Sequence, residues 1–161
     1  MAVCNNLKQL EAELKKRLNA TLQDDVVKTV KETEQKHVQQ DVYAAYKPKY
    51  YQRRMSSGGL IDEQNMVVET GDLEVSIDNQ TSFNNGYDWN PGFRPPPNNG
   101  NELGVLVEYG DGGGGYIYNY PSDPAFTSPR PFIHNTVDEL KNGKLRESVV
   151  SGLAKRGVIA E

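Results

Sequence analysis

Leu7, Leu10, Leu14, Leu18, Leu22, Val26 and Val30 recur at spacings of three and four residues, which places them on one side of a helix with 3.6 residues per turn. A stripe of that length commits roughly the first 45 residues to helix. The stripe is narrow, so the helix packs on one partner surface and leaves most of its girth in water. Spacings of four dominate, which disfavours the strict heptad of a coiled coil. Asn19 and Thr21 weaken the middle, and Thr21 followed by Asp24 reads as a cap for a new start. The expectation is a short helix followed by a longer one, or one helix with a bend. Pro48 ends the pattern, because it drives Lys47 away from the helical region and has no N–H to donate.

Beyond Ser56-Ser57-Gly58-Gly59, a turn, the periodicity changes from helical to alternating. Met66, Val67 and Val68 form a β-prone run, Gly71-Asp72 signals a turn, and Leu73, Val75 and Ile77 alternate with polar residues as a strand with one wet face. Leu103, Val105 and Val107 alternate again and predict a third strand ending at Glu108-Tyr109-Gly110. Residues 116–120 suggest a fourth. Between the second and third, residues 79–102 carry Asn84-Asn85-Gly86, Asn90-Pro91-Gly92 and Pro95-Pro96-Pro97, a loop too long to be a mere connector. The last element reads as one helix, with Thr136 and Glu139 as a capping box and Gly157 past its end. Gly143 is a soft spot within it, costing about 1 kcal/mol relative to Ala. The predicted fold class is α+β: a long N-terminal helix, an antiparallel sheet of three to four strands, and a C-terminal helix packed on the sheet. Residues 1–161 form a single domain with a Pro/Asn/Gly-rich loop at about 79–102.

Only 36% of the 161 residues are hydrophobic and mean hydropathy is −0.71. That predicts a thin core, and so neighbouring subunits that supply missing contacts. No stretch approaches the roughly 20 apolar residues of a membrane helix, and the N-terminus lacks the apolar run of a signal peptide. With Cys4 as the single cysteine, no intrachain disulfide can form, which suits assembly in a reducing cytosol. In that compartment the sequon Asn79-Gln80-Thr81 has no role. Net charge is −4, against a dedicated nucleic-acid binder, but the charge is segregated. Residues 1–55 carry 11 Lys/Arg against 7 Asp/Glu, residues 56–128 carry 1 against 11, and residues 129–161 carry 6 against 4. Head-to-tail or ring packing can use such contrast; the alternative is a helix-rich part choosing Lys and a loop-rich part choosing Asp and Glu.

Catalytic signatures are wanting. His37 and His134 read as surface or packing residues without a carboxylate or cysteine partner at metal-ligand spacing. Gly110 to Gly115 satisfies GxGxxG, yet Tyr-Ile-Tyr-Asn-Tyr-Pro follows where a dinucleotide fold needs a helix. No nucleophile, metal or cofactor site is predicted, and the chain is not expected to be an enzyme. The segment Tyr43 to Arg54 is the densest in character: Tyr46, Tyr50, Tyr51, Arg53 and Arg54 suit either nucleic-acid stacking or an interface. On the interface reading, Arg53→Ala leaves the chain folded and weakens assembly.

The motif order carries a resemblance. A basic helix runs into Val42-Tyr43-Ala-Ala-Tyr46-x-Pro48-x-x-Tyr51-x-Arg53-Arg54 and Gly58-Gly59-Leu60. Val107-Glu108-Tyr109-Gly110 follows, and Pro129-Arg130-Pro131-Phe132-Ile133 precedes the final helix. This resembles the tail-completion (neck, or head–tail joining) proteins of tailed bacteriophages, over roughly residues 25–155. The loop at 84–101 and the glycine run at 111–115 depart from the family pattern. The resemblance implies a virion subunit without catalysis, forming a homo-oligomeric ring, typically of six copies, between the head connector and the tail tube. It implies a central channel for passing DNA and no membrane or cofactor. The neighbouring roles of tail terminator or portal adaptor remain open, as does a small cytosolic nucleic-acid-binding protein. On this reading the interface candidates are Tyr46, Tyr50, Tyr51, Arg53, Arg54, Leu60, Glu108, Tyr109, Arg130 and Phe132.

Overall fold

Asn6 opens the first helix by accepting the Gln9 N–H on its side-chain oxygen at 2.9 Å, satisfying one donor that a helix start leaves unpaired. The computed structural model describes residues 6–45, 47, 52–82, 103–110 and 128–158. Helix α1 (Leu7–Thr21) passes through a π-helical turn, Leu22–Val26, into α2 (Val27–His37) and a second such turn, Val38–Tyr43. The helical backbone therefore continues past Thr21, where the sequence offered a second start. The reason is local: the Thr21 hydroxyl donates back to the Arg17 carbonyl at 2.9 Å instead of capping forward. Thr33 does the same to Thr29 at 2.6 Å. Both side chains are fully buried, and with their hydroxyls satisfied inside the helix they pack like valines. The whole rod, Leu7 to Tyr43, spans roughly 55 Å.

Strands β1 (Met66–Gly71) and β2 (Glu74–Asn79) pair antiparallel, with Val68 opposite Ile77 and Thr70 opposite Val75. Among the described residues this is a two-stranded sheet, not the three to four strands expected. The predicted fourth strand, 116–120, lies outside the described residues. Leu73 is not a strand residue but sits in the turn with φ 57°, a conformation that costs an L-residue with a bulky side chain roughly 1–2 kcal/mol. Leu73→Asn is expected to raise stability by about 0.5–1 kcal/mol, read as the urea midpoint at a concentration where the chain is monomeric.

The predicted third strand is a helix, α3 (Leu103–Tyr109). Leu103 and Val107 lie four apart and face the core, while Gly104 and Glu108, also four apart, are buried beside them. Val105 and Tyr109 point to solvent. Leu103, Val105 and Val107 alternate, but burial follows the spacing of four. Gly104 faces the Asn79 carbonyl and the Phe132 ring, which a Cβ there would meet at 3.7 and 3.9 Å, ordinary contact distances.

The C-terminal part is two helices, not one. Helix α4 (Phe132–Glu139) and helix α5 (Leu145–Lys155) join through Leu140–Lys144, where Asn142 and Gly143 leave helical geometry and Gly143 takes φ 116°. Gly143 is thus the corner that makes two helices possible. Thr136 is not an N-cap either; it lies inside α4 and donates to the Phe132 carbonyl at 2.7 Å. The true start is covered from a distance, because the buried Glu108 carboxylate accepts the N–H groups of Ile133 (2.7 Å) and His134 (3.0 Å). A carboxylate at a helix N-terminus also meets the positive end of the dipole. Gly157, with φ 74°, ends α5 as expected, and Val158 N–H reaches back to the Leu153 carbonyl at 2.9 Å.

Val38, Val42, Leu60 and Phe132 form the apolar core, flanked by Tyr43, Ile61, Leu103 and Val107. Beside it runs a buried polar network. The Asn79 amide donates to Glu34 Oε1 (2.6 Å) and to the Leu60 carbonyl (2.9 Å), and its oxygen accepts from the Thr81 hydroxyl (2.5 Å). Burial pushes the Glu34 carboxyl above its usual value, against the Asn79 hydrogen bond. A second packing zone joins α1 and α5 at Gly152, where Thr21 and Asp25 lie within the space a Cβ would need.

Candidate interface

The ten interface candidates divide by burial. Leu60 and Phe132 belong to the core, and Glu108 caps α4. Arg53 donates from Nη1 to the Tyr43 carbonyl at 2.7 Å and lays its guanidinium 4.9 Å from the Tyr43 ring centroid. Arg54 donates to the Ser82 carbonyl, and burial pulls its pKa below the usual guanidinium value. Arg130 is half-buried, and its backbone N–H bonds the Val107 carbonyl at 2.8 Å. These six residues hold the chain's own elements together. Arg53→Ala is therefore expected to destabilise the fold as well, since it removes a charge-assisted bond that closes the end of the long helix. Tyr109 is exposed. Tyr46, Tyr50 and Tyr51 lie outside the described residues.

Two electrostatic clusters tie the long helix to the C-terminal helices. Around Glu139, Lys144 donates at 2.8 Å, Lys36 at 2.6 Å and His37 Nε2 lies at 2.9 Å, while His37 Nδ1 contacts Asp41 at 2.8 Å. His37 thus has two carboxylate partners, one of them four residues along its own helix, which corrects the expectation that it has none. Lys36 and Lys144 make this an ion-pair cluster, and among the described residues no group of three or more His, Cys, Asp or Glu side chains is arranged to hold a metal. Lys144, then Lys36, hold the Glu139 carboxyl down to about 2. A carboxylate pKa depressed in the folded state stabilises above its unfolded value and loses that contribution as pH falls through the folded one. The stability gap between wild type and Glu139→Gln is accordingly expected to be full at neutral pH and to close between about 4.5 and 2. Urea midpoints measured across that range test it.

The second cluster centres on Arg156, which donates to Asp25, to Asp24 (2.6 Å), and to the Ala20 (3.0 Å) and Gly152 (2.9 Å) carbonyls. Lys155 adds a 2.7 Å pair with Asp25. Lys155 first, then Arg156, lower the Asp25 pKa. Part of the sign segregation is also spent inside the chain: Lys15 pairs with Asp72 at 2.5 Å and Lys31 with Glu63 at 3.6 Å.

Part of the outward surface is apolar. Along the stripe, Val26 is 6% exposed, but Leu14 is 43%, Leu10 44% and Leu7 83%. Exposure of the stripe therefore rises toward the N-terminus of α1. Exposed apolar patches of this kind mark association surfaces.

One long helix bearing a hairpin, a short helix and a kinked helix pair defines an α+β protein whose described residues display an exposed apolar end. The chain belongs to the YomN family, whose model matches residues 6–155. It is 27% identical over 128 residues to the SPbeta prophage-derived uncharacterized protein YomN of Bacillus subtilis (strain 168), covering 78% of this chain and 74% of that relative. No solved structure matches.

Proposed function

We propose that this chain is a structural subunit of a tailed-phage particle, one that acts by fitting against copies of itself and other virion parts and catalyses no reaction. The observation that carries the reading is the bare leucine end of α1 on a member of a family with a prophage-derived relative. A soluble chain that keeps Leu7, Leu10 and Leu14 in water gains free energy by covering them. The joint between head and tail is the position we favour, with the subunit in a ring, of six copies on the resemblance, around passing DNA. Tail terminator and portal adaptor are the neighbouring positions in the same particle. The nucleic-acid-binding alternative loses ground, because its two arginines, Arg53 and Arg54, are bonded to the chain's own carbonyls.

Two measurements together test the proposal: mass spectrometry of purified particles from an induced lysogen, and the native mass of the isolated full chain. The expected results are stoichiometric incorporation and a defined oligomer. A monomer that is absent from particles overturns the proposal.

A further inference from the structure

The hairpin leaves one strand edge open. Asp72 and Leu73 are the two loop residues inside the Gly71–Glu74 pair, and beyond the other end the Gln80 N–H donates to the Asn65 carbonyl at 2.8 Å. Hydrogen-bonded pairs alternate along an antiparallel ladder, so Val67, Glu69 and Gly71 turn their backbone groups toward β2. Those of Met66, Val68 and Thr70 point the other way. β2 is the strand that lies against the long helix, with Asn79 bonded to Glu34, while β1 packs closely only on β2. Met66 is buried, but Val68 is half-buried and Thr70 exposed. Among the described residues nothing bonds the outward N–H and C=O groups of Val68 and Thr70. Devices that keep such edges apart are missing: the register runs from Met66 to Gly71 without a bulge, and β1 has no Pro, no Lys and no inward-pointing charge. The hairpin is also acidic on one face. Glu69, Glu74 and Asp78 lie on the side opposite to Val68 and Ile77. All three are exposed, none has an ion-pair partner among the described residues, and no Lys or Arg occurs from Met66 to Asn79.

We infer that the outer edge of β1 takes up an extended, basic segment of a partner protein as a third strand. The backbone groups of Val68 and Thr70 supply the bonds, as in other strand additions. The partner's Lys or Arg residues, at every second position, fall on the face of Glu69, with Glu74 and Asp78 one strand further on, about 5 Å. Its intervening apolar residues continue the face of Val68. A second copy of this chain is the wrong occupant. Pairing β1 with β1 sets Glu69, Glu74 and Asp78 of both copies on one continuous face without a cation, and like charges on neighbouring strands oppose pairing. This docking needs no ring, so it does not depend on where the chain sits in a particle.

The test titrates the full chain with a short blocked peptide in which Lys alternates with Val and Thr. Fluorescence anisotropy of the peptide reads affinity, and hydrogen exchange of assigned amides reads the place. Saturable binding is expected, with slowed exchange at the Val68 and Thr70 amides. A peptide of the same composition with its Lys residues in one block is expected to bind about tenfold more weakly or worse. Glu69→Lys with Glu74→Lys is expected to weaken binding by about tenfold and to favour a peptide alternating Glu with Val and Thr. Thr70→Pro removes an outward N–H that the hairpin's own ladder does not use, and is expected to cost about tenfold. Where that variant loses the fold, the two surface charge reversals carry the test. Unchanged exchange at Val68 and Thr70 under millimolar peptide overturns the inference. So does equal binding of the block peptide, or of the charge-reversed chain. Protection of the same two amides that grows with protein concentration alone shows a second copy in the lane, and overturns the basic partner. The virion reading is untouched by any of these results, because incorporation into particles is measured separately.

Discussion

Phe132→Ala is expected to lower stability by ~3–5 kcal/mol, the cost of emptying a fully buried aromatic site. Phe132 is 0% exposed and is the largest side chain in the core. It sits where α4 starts, within reach of Gly104 on α3 and of Val38, Val42 and Leu60. Its carbonyl also accepts the Thr136 hydroxyl. Removing the ring leaves a cavity between segments far apart in sequence. Urea unfolding of the monomer measures the loss. A change under about 1 kcal/mol would mean that this cluster is not the centre of the fold.

Gly152→Ala is expected to cost ~1–3 kcal/mol, although Ala is the better helix former. A Cβ at that position would lie 2.5 Å from Thr21 Cγ2 and 2.8 Å from Asp25 Oδ2. Thr21 is completely buried, and Asp25 is held by Lys155 and Arg156, so neither can step aside. The helices must separate, and the Arg156 clamp loosens with them. Thr21→Ser removes the clashing methyl and keeps the hydroxyl bond to Arg17. In a double-mutant cycle it is expected to recover part of the loss. Strict additivity of the two substitutions would show that the helices do not meet at Gly152.

Where one element's own pattern sufficed, the sequence was legible. The leucine stripe predicted the long helix, Met66 to Val68 and the Gly71-Asp72 turn predicted the hairpin, and Gly157 marked the last helix end. The errors fall where a distant residue decides. Leu103, Val105 and Val107 alternate like a strand, but Gly104 and Glu108 need the spacing of a helix to reach Phe132 and the α4 N-terminus. Thr136 looks like a cap only if Glu108, more than twenty residues upstream, is left out of view. Gly143 reads as a flaw in one helix until its positive φ shows it to be the corner between two. His37 and Asp41 stood four apart in plain sight, and that spacing could have found the cluster; Glu139 could not be found that way.

The candidate surface was half legible. The stripe put Leu7, Leu10 and Leu14 on one side of the helix. Sequence could not say which of them stay exposed, because burial of a stripe depends on what the rest of the chain lays against it. Periodicity and turn chemistry alone determined that this protein is helical, then hairpin-forming, then helical. Tertiary structure alone decided that Arg53, Arg54, Glu108 and Phe132 serve the fold while Leu7, Leu10 and Leu14 face solvent. Local pattern sets backbone conformation through interactions a few residues long, whereas exposure is set by contacts between segments that sequence order does not reveal.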